Sequence, residues 1–448
     1  MSNKSFADLG VPAKLVSLLN SQGINSPFPI QLDTLPDTLA GKDVLGRGKT
    51  GSGKTLAFSI PIVARLAKHH AAGGKRGGKP RALVLAPTRE LATQITNTLQ
   101  PLAQAMNLRV TSIFGGVSQV RQVNALRNGV EIIVATPGRV EDLMKQGHLK
   151  LDAIEITVLD EADHMAELGF LPGVTRILNA TPKVGQRLMF SATLDGEVNK
   201  LVNRFLINPV THAVDEENSP VSQMTHHVFE ASGPDAKKAL VTALASGKGR
   251  RILFMRTKHH AKKLAQSLTQ AGIPAVDLHG ALSQPARDRN LAAFSKGSVR
   301  VLVATDIAAR GVHVDSVDLV IHVDPPAEHK AYLHRSGRTA RAGAQGDVVT
   351  LCLPTQRKAL ADLLRRAQIN VTPAKVTATS SEVLALVGEV APHVKPLPAA
   401  RPPQGGGLSN GRNAQRKRAA RGAKRSPAAT NRGRRERPRQ ESNLRPRD

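Results

Sequence analysis

Residues 48–55 constrain the fold of this chain more than any other stretch, and they read GKTGSGKT. They satisfy the P-loop pattern. The apolar pair Val44 and Leu45 precedes them, and an apolar pattern at helical spacing follows over residues 56–66. A strand that leads into a helix through such a loop presents backbone N–H groups to phosphate oxygens. The stretch therefore predicts a nucleotide-binding strand, loop and helix.

The residue types within this loop suit ATP and Mg2+. Gly51 and Gly53 let the backbone close around phosphate oxygens, Lys54 is placed for the β and γ phosphates, and the Thr55 hydroxyl is a candidate Mg2+ ligand. The candidate nucleotide contacts are all eight residues: Gly48, Lys49, Thr50, Gly51, Ser52, Gly53, Lys54 and Thr55.

An acidic cluster follows a second apolar run. Asp160, Glu161 and Asp163 come directly after residues 156–159, which read as a buried strand. The carboxyl ends of parallel strands are where such sheets bind ligands. An Asp there can hold Mg2+, and Glu161 can orient or deprotonate the water that attacks the γ phosphate. We predict that Asp160 and Glu161 belong to the same site as the P-loop.

The organisation of the chain predicts two α/β domains. Its 448 residues exceed what one hydrophobic core usually serves, and strand-like runs alternate with helical patterns twice, over residues 44–206 and again over residues 251–353. We expect parallel sheets and the following divisions: an N-terminal region (1–40), an ATP-binding domain (41–210), a linker (211–223), a second domain (224–376) and a disordered, low-complexity Arg-rich tail (377–448).

Composition argues against several classes of protein. Cys352 is the one cysteine in the sequence, which excludes an internal disulfide and a cysteine-based zinc cluster. The fifteen histidines show no convincing metal-ligand spacing. Since no apolar run is long enough to span a bilayer and no signal-peptide pattern begins the chain, we expect a soluble cytoplasmic protein without a membrane partner or a metal cluster.

The charge of the chain calls for a polyanionic partner. The net charge is +28, of which +13 lies in residues 395–448 and +15 in the rest. No aromatic residue follows Tyr332, and the chain has ten Phe, one Tyr and no Trp. Stacking of bases on aromatic rings therefore cannot be the main binding mode, and contacts to backbone phosphates should carry the affinity for nucleic acid.

A group of arginines marks the second domain. Arg335, Arg338 and Arg341 lie within residues 334–341. They could be solvated charges on a helix, but Arg338 and Arg341 could also reach the γ phosphate across a cleft between the domains and accelerate hydrolysis. In that case hydrolysis would require the two domains to close.

With these motifs in order, the chain resembles a DEAD-box RNA helicase of helicase superfamily two over roughly residues 1–370. Phe6 and residues 23–31 are similar to the Q motif that contacts adenine, residues 48–55 to motif I, residues 87–92 to motif Ia, residues 160–163 to motif II and residues 191–193 to motif III. In the second domain, residues 254 and 257 resemble motif IV, Gln284 and Arg287 the QxxR element, residues 305–311 motif V and residues 334–341 motif VI.

The resemblance implies two tandem RecA-like domains that close over ATP and single-stranded RNA and locally separate duplexes. It adds Phe6, Gln31 and Arg310 to the nucleotide contacts. Lys54, Asp160, Glu161, Arg338 and Arg341 are then the catalytic residues, with Thr55 and Asp160 on Mg2+. The residues that it assigns to RNA are Pro87, Thr88, Arg89, Gly115, Gly116, Thr136, Pro137, Gly138, Arg139, Thr257, Gln284, Arg287, Thr305 and Asp306.

Several positions depart from the commonest family pattern. Gly48 and Lys49 replace Ala and Gln, Phe28 replaces Thr, Ser336 replaces Ile, and His313 stands where an Asp helps to bind the ribose. The last departure implies altered nucleotide affinity or altered coupling to RNA.

Two other functions are compatible with the sequence. One is an RNA chaperone that anneals or remodels RNA through its basic tail, and the other is a DNA-directed helicase, which the DEAD sequence and the Q motif disfavour. The short core is typical of bacterial members, which serve ribosome assembly, messenger decay and cold adaptation. Ribonucleoprotein or ribosomal particles are therefore candidate partners beside RNA.

Overall fold

The fold of the protein was obtained as a computed structural model. It describes residues 4–48, 51–71, 78–194, 196–213, 224–309, 317–340 and 345–395. Two predicted site residues of the P-loop, Lys49 and Thr50, fall outside these ranges, as do Arg310, His313 and Arg341.

The first domain is a seven-stranded parallel sheet covered by helices on both faces. The strand order is β3-β4-β2-β5-β6-β1-β7. The strands are β1 (Val44–Arg47), β2 (Ala82–Leu85), β3 (Val110–Ile113), β4 (Ile132–Ala135), β5 (Ile156–Asp160), β6 (Gln186–Ser191) and β7 (Val210–Ala213). The helices are α1 (Ala13–Ser21), α2 (Pro29–Ala40), α3 (Lys54–Ala71), α4 (Arg89–Ala105), α5 (Val120–Arg127), α6 (Pro137–Lys145), α7 (Ala162–Glu167), α8 (Leu171–Asn179) and α9 (Gly196–Phe205).

Alternating side chains of the strands form two cores in this domain. Val44 and Val84 point to a core shared with α1–α4, and Leu45 and Leu83 point to a core shared with α5–α9. A strand buried on both faces reads as a continuous apolar run, which is why the sequence predicted strands such as β2 and β4.

The second domain repeats this architecture with the strand order β10-β11-β9-β12-β13-β8-β14. Its strands are β8 (Met224–Glu230), β9 (Arg251–Phe254), β10 (Ala275–Leu278), β11 (Val301–Ala304), β12 (Leu319–His322), β13 (Gly346–Cys352) and β14 (Ala374–Lys375). Its helices are α10 (Pro234–Ala245), α11 (Lys258–Gln270), α12 (Gln284–Ser295), α13 (Asp306–Ala309), α14 (His329–Ser336), α15 (Arg357–Arg366) and α16 (Ser381–Val387). The prediction of two tandem parallel-sheet α/β domains is confirmed.

Two predicted boundaries need correction. Strand β7 pairs with β1, so residues 211–213 belong to the first sheet rather than to a linker. Strand β7 has four residues, two exposed and two partly buried, so it contains no continuous apolar run that would predict a strand from the sequence. The predicted tail began at residue 377, but α16 packs in the core of the second domain through Val383 and Val387.

The chain beyond α16 is also held to the second domain. Val390 forms an antiparallel bridge with Gly247, and the Val394 amide donates to the Gly272 carbonyl at 3.0 Å. The packed part of the second domain thus extends to at least residue 394, about eighteen residues past the predicted boundary. The remaining part of the predicted tail, residues 396–448, lies outside the described ranges.

A buried polar cluster fixes helix α14 to the second sheet. The His226 Nδ1 lies 3.0 Å from the Tyr332 hydroxyl, and the His322 Nδ1 lies 3.1 Å from Thr350 Oγ1. The rings of His322 and Tyr332 meet edge to face, 4.7 Å apart. Burial lowers the pKa of His226 to about 4 and lowers the pKa of His322 well below its usual range.

These two histidines should make the second domain sensitive to acid. In the unfolded chain each takes up a proton near pH 6.5, whereas in the folded domain each stays neutral to lower pH. The free energy of unfolding should therefore fall as pH drops from about 6.5 towards 4, by up to about 1.4 kcal/mol per pH unit for each histidine. Urea titrations between pH 7.5 and 5 measure this slope.

The variant His226→Asn keeps a donor near the Tyr332 hydroxyl but removes one titrating group. Its slope against pH should be smaller than that of the wild type by up to one proton, and its stability at pH 7.5 gives the intrinsic cost of the replacement. An unchanged slope would contradict the assignment.

Candidate functional site

The P-loop connects β1 to α3 at the carboxyl edge of the first sheet. Gly51 and Gly53 adopt φ angles of 93° and 92°, a left-handed backbone that glycine takes at little cost. Lys54 is 7% exposed and its Nζ donates to the Gly48 carbonyl. Lys54 is thus directed back to Gly48 at the start of the loop, where phosphate oxygens would lie.

The start of α2 supports the P-loop from one side. The Gln31 Nε2 donates to the Gly53 carbonyl at 2.9 Å, and the Gln31 Oε1 accepts from the Phe28 amide at 3.0 Å. Phe28 is 47% exposed, and its side chain lies against Gly53. The structure therefore shows Gln31 bracing the loop, while its predicted contact with a nucleotide stays a prediction.

Phe6 packs in the first domain, and its predicted contact with adenine stays a prediction. It is 1% exposed and belongs to the apolar core of the first domain. Packing is the role that the structure shows for its ring, since a base could reach it only if its neighbours moved. Phe28, which the sequence singled out only as a departure from the family pattern, is the exposed aromatic residue beside the loop.

The acidic residues lie at the same edge as the P-loop, because β6 pairs with both β1 and β5. Asp160 ends β5 with 3% of its surface exposed, and Glu161 turns the chain into α7 with a φ of 52°. Burial raises the pKa of Asp160 to about 7, although the charge of Lys54 opposes that shift.

Glu161 keeps its charge in spite of burial. Desolvation raises its pKa, but the hydrogen bond and charge of His164 and the positive charges of Arg338 and Lys54 outweigh it, and the pKa of Glu161 falls to about 2. His164 Nδ1 lies 3.1 Å from Glu161 Oε2. The site thus holds one carboxylate that is firmly ionised.

Asp163 joins this acidic turn to the end of β6. Its Oδ2 accepts from the backbone amides of Ala192 at 3.2 Å and Thr193 at 2.9 Å, and from the Thr193 hydroxyl at 3.1 Å. Neither Asp163 nor His164 was among the predicted site residues. The signal that could have found them is their position in the first turn of the helix that follows the strand.

Motif VI contributes a buried arginine. Arg338 is 7% exposed, its Nε donates to the His334 carbonyl at 3.3 Å, and its charge acts on Glu161. The neighbouring Arg335 has a structural part, since its Nη2 donates to Asp306 Oδ2 at 2.8 Å and its guanidinium lies 5.2 Å from the centre of the Phe254 ring. Among the described residues, the structure brings Lys54, Asp160, Glu161 and Arg338 together.

The predicted RNA contacts of the first domain follow strands β2, β3 and β4. Pro87 is buried, and Thr88 caps α4 by accepting from the Leu91 amide at 3.2 Å. Gly116, with a φ of 73°, lies so close to Arg89 that a Cβ would meet its guanidinium. The rest of this group, Gly115, Thr136, Pro137, Gly138 and Arg139, lies at the same carboxyl edge.

In the second domain the predicted RNA contacts also lie at helix starts and strand ends. Thr257 caps α11, Gln284 begins α12 and Arg287 lies one turn further, while Thr305 and Asp306 follow β11. Asp306 is already paired with Arg335. Contact with RNA by these residues stays a prediction.

Hydrogen bonds connect predicted RNA contacts of the first domain to predicted RNA contacts of the second domain. Arg89 Nη1 donates to Gln284 Oε1 at 3.0 Å, Gln284 Nε2 to Glu90 Oε1 at 3.2 Å, and Arg287 Nε to Glu90 Oε1 at 2.8 Å. The Glu90 and Arg287 side chains are only 10% and 12% exposed. Glu90 was not among the predicted site residues, and we call Arg89, Glu90, Gln284 and Arg287 the interdomain cluster.

Two properties of the described residues concern membranes and metal ions. None of the helices in the described ranges combines the length and apolar character needed to cross a lipid bilayer. Within the same ranges, no group of three or more His, Cys, Asp or Glu side chains could hold a metal ion.

Two family models match the chain. Residues 28–201 match the model described as DEAD/DEAH box helicase, and residues 235–343 match the model described as helicase conserved C-terminal domain. The two matches fall on the first and second sheets respectively.

Relatives with known names match most of this chain. "ATP-dependent RNA helicase RhlB" of Sodalis glossinidius is 39% identical over 354 residues, which are 78% of this chain and 85% of that protein. "DEAD-box ATP-dependent RNA helicase 9" of Oryza sativa subsp. japonica is 40% identical over 79% of this chain and 56% of that protein. The chain spans about half to three fifths of the length of the plant relatives.

Solved structures share the fold. Dbp5 of S. cerevisiae bound to RNA and ADP BeF3 superposes with a TM-score of 0.75 at 27% identity, over 86% of this chain and 100% of that one. Mss116p bound to ssRNA and AMP-PNP gives a TM-score of 0.74 at 26% identity, over 87% of this chain and 83% of that one.

Ala340, between the two predicted arginine fingers, adopts a φ of 52° that costs a residue with a Cβ about 1–2 kcal/mol. Ala340→Gly should therefore leave the stability of the second domain unchanged or raise it. Ala239→Gly, at an exposed position inside α10, is the matched control and should lower stability by about 1 kcal/mol. Urea unfolding measures the stability of both variants. An equal loss of stability in the two variants would contradict the conclusion that the backbone of Ala340 is strained.

Proposed function

Because this chain belongs to the DEAD/DEAH box helicase family, we propose that it is an ATP-dependent RNA helicase that locally separates or remodels RNA duplexes. The observation that carries the proposal is the convergence of Lys54, Asp160 and Glu161 from the first domain with Arg338 from the second. The relative at 39% identity is named an RNA helicase, and two structural neighbours were solved with RNA and a nucleotide.

In this proposal the first domain binds ATP through the P-loop. The backbone amides of residues 48–55 surround the phosphates, and Lys54 leaves the Gly48 carbonyl to pair with the β and γ phosphates. Gln31 holds the loop at Gly53, and the exposed ring of Phe28 lies at its side. Pre-formed contacts of this kind reduce the entropic cost of binding.

Glu161 orients the water that attacks the γ phosphate. It is suited to this role because its carboxylate is ionised and lies near Lys54 and Arg338, which favour charge at the phosphate. Arg338, with Arg341 three residues later in the sequence, stabilises the charge that develops during transfer. Since these arginines belong to the second domain, hydrolysis depends on closure.

Mg2+ is the metal that the proposal requires. Thr55 and Asp160 offer a hydroxyl and a carboxylate, the oxygen donors that Mg2+ prefers. Burial without a cation disfavours the ionised form of Asp160, and a bound cation would reverse that preference. When bound, Mg2+ supplies charge neutralisation at the phosphate oxygens.

RNA lies across both domains and is held by its phosphates and 2′ hydroxyls, without regard to sequence. The candidate contacts follow the carboxyl ends of strands in both sheets, close to the interdomain cluster. A bent single strand bound there cannot continue as a duplex, so closure separates strands locally. The basic segment 395–448 raises the local concentration of RNA.

We place this activity in the cytoplasm, because the chain covers most of the length of a bacterial relative. Ribonucleoprotein or ribosomal particles are the proposed settings.

Steady-state ATPase with single-stranded RNA, at two salt concentrations, tests the proposal. RNA should stimulate turnover, and the RNA concentration for half-maximal stimulation should rise steeply with salt. Glu161→Gln should lower kcat by about a hundredfold or more while RNA binding persists. Glu197→Gln is the matched control, since Glu197 is exposed on α9 of the same domain.

Three results would overturn the proposal. RNA binding without any ATP turnover would favour the RNA chaperone, and equal stimulation by DNA would favour a DNA-directed enzyme. If removal of residues 395–448 abolishes remodelling while ATP turnover persists, the tail rather than the domain pair is responsible.

The interdomain cluster gives a second prediction. Glu90→Gln removes the charge that pairs with Arg287, so closure should become less favourable by about 1–3 kcal/mol and the coupling between RNA and ATP should weaken about 5–150-fold. The RNA dependence of ATPase measures this.

Glu155→Gln is its control, because Glu155 pairs with Arg81 within the first domain, at the amino ends of the strands. If Glu90→Gln and Glu155→Gln show the same RNA dependence, the cluster does not contribute to closure.

A further inference from the structure

His164 is a buried titratable residue that the proposed mechanism does not yet use. It lies in the first turn of α7, three residues after Glu161, and is 5% exposed. Its Nδ1 is 3.1 Å from Glu161 Oε2, and its own backbone amide donates to Asp163 Oδ1 at 3.0 Å. The side chain thus lies between the acidic turn and the interior of the domain.

The main chain of Glu161 is already fixed by other contacts. Its amide donates to Asp160 Oδ1 at 3.1 Å, and its carbonyl accepts from the Met165 amide at 3.0 Å. Its left-handed φ of 52° is a conformation that only a well-determined environment maintains. The direction of the carboxylate then depends on what holds the side chain, and His164 supplies a hydrogen bond to one of its two oxygens.

The two ring nitrogens of His164 have different surroundings. A hydrogen bond to the carboxylate of Glu161 requires the proton on Nδ1. Nε2 is buried and has no partner among the described residues. A proton on Nδ1 is used in the hydrogen bond to Glu161, whereas a proton on Nε2 would be a buried donor without an acceptor among the described residues.

We propose that His164 is a positioning residue for Glu161: its Nδ1–H holds Oε2, so that Oε1 stays directed at the attacking water. This inference rests on the proposed function, in which Glu161 acts on that water. Such a hydrogen bond fixes the tautomer and the rotamer together, in the way that second partners orient catalytic groups. It does not require His164 to touch ATP or RNA.

If His164 positions Glu161, its loss should change the kinetic constants in a specific way. A misdirected Glu161 would slow the chemical step without weakening nucleotide binding, because the P-loop contacts do not involve His164. We therefore expect kcat to change while KM for ATP and the affinity for RNA stay as they are.

Two substitutions of similar size separate the ring nitrogens. In His164→Asn the side-chain amide takes the place of Nδ1 and keeps a donor near Glu161. In His164→Gln the amide lies near the position of Nε2, and the donor to Glu161 is lost. RNA-stimulated ATPase of the full chain should stay within about threefold of wild type for His164→Asn and fall about tenfold or more for His164→Gln.

Two further variants test the same role of His164. His164→Ala also lacks the donor and should behave as His164→Gln does, which covers the case in which the glutamine variant does not fold. Adding His164→Gln to Glu161→Gln should cause little further loss, since two residues that act as one unit are not additive. Thermal unfolding of each variant shows whether the fold is intact.

The inference is overturned if His164→Gln retains wild-type kcat, or if the asparagine and glutamine variants lose activity equally with a raised KM, as packing alone would predict. If the proposed function itself is wrong, the wild-type chain will show no RNA-stimulated ATP turnover. That result differs from a loss seen only in the His164 variants, and it would overturn the inference together with the proposed function.

Discussion

Charges buried side by side at the carboxyl edge of the first sheet are the constraint on which the site depends. Lys54 and Asp160 are almost fully buried, and the side chain of Glu161 is only 14% exposed. Burying an ion costs several kcal/mol unless opposite charges and hydrogen bonds compensate. The parallel register of β1, β6 and β5 ends the three strands at one level, which brings these charges together so that Glu161 is compensated and Asp160 only in part. The fold thus concentrates charge where a phosphate chain can enter.

Strand positions and the P-loop could be read from the sequence because they depend on local patterns. Fully buried strands such as β2 and β11 are continuous apolar runs, and the spacing of residues 48–55 fixes the loop. Strand β7 and helix α16 were missed, since each is short and owes its place to a neighbour: β7 pairs with β1, and α16 packs on α10. Local pattern carries no information about such partners.

The same distinction applies to the site. Lys54, Asp160 and Glu161 follow from motif and position, but the part that Glu90 plays depends on Arg287, which lies 197 residues away in the chain. For Phe6 the motif predicted a ligand contact, which stays a prediction, and the structure adds that its ring packs in the core of the first domain. His164 could be recognised only once its ring was seen against Glu161. Long-range contacts decide which polar side chains bind a ligand and which hold another residue.

The contacts made by the segment after α16 determine the domain to which the basic residues 395–448 are joined. Because Val390 and Val394 are bonded to Gly247 and Gly272, residues 390–394 are fixed to the second domain. The sixteen Lys and Arg of residues 395–448 therefore follow, in the sequence, the domain that carries Arg338. In the proposed function, a polyanion bound by these residues would be tethered through residues 390–394 to the domain that carries Arg338, and not to the domain that carries the P-loop.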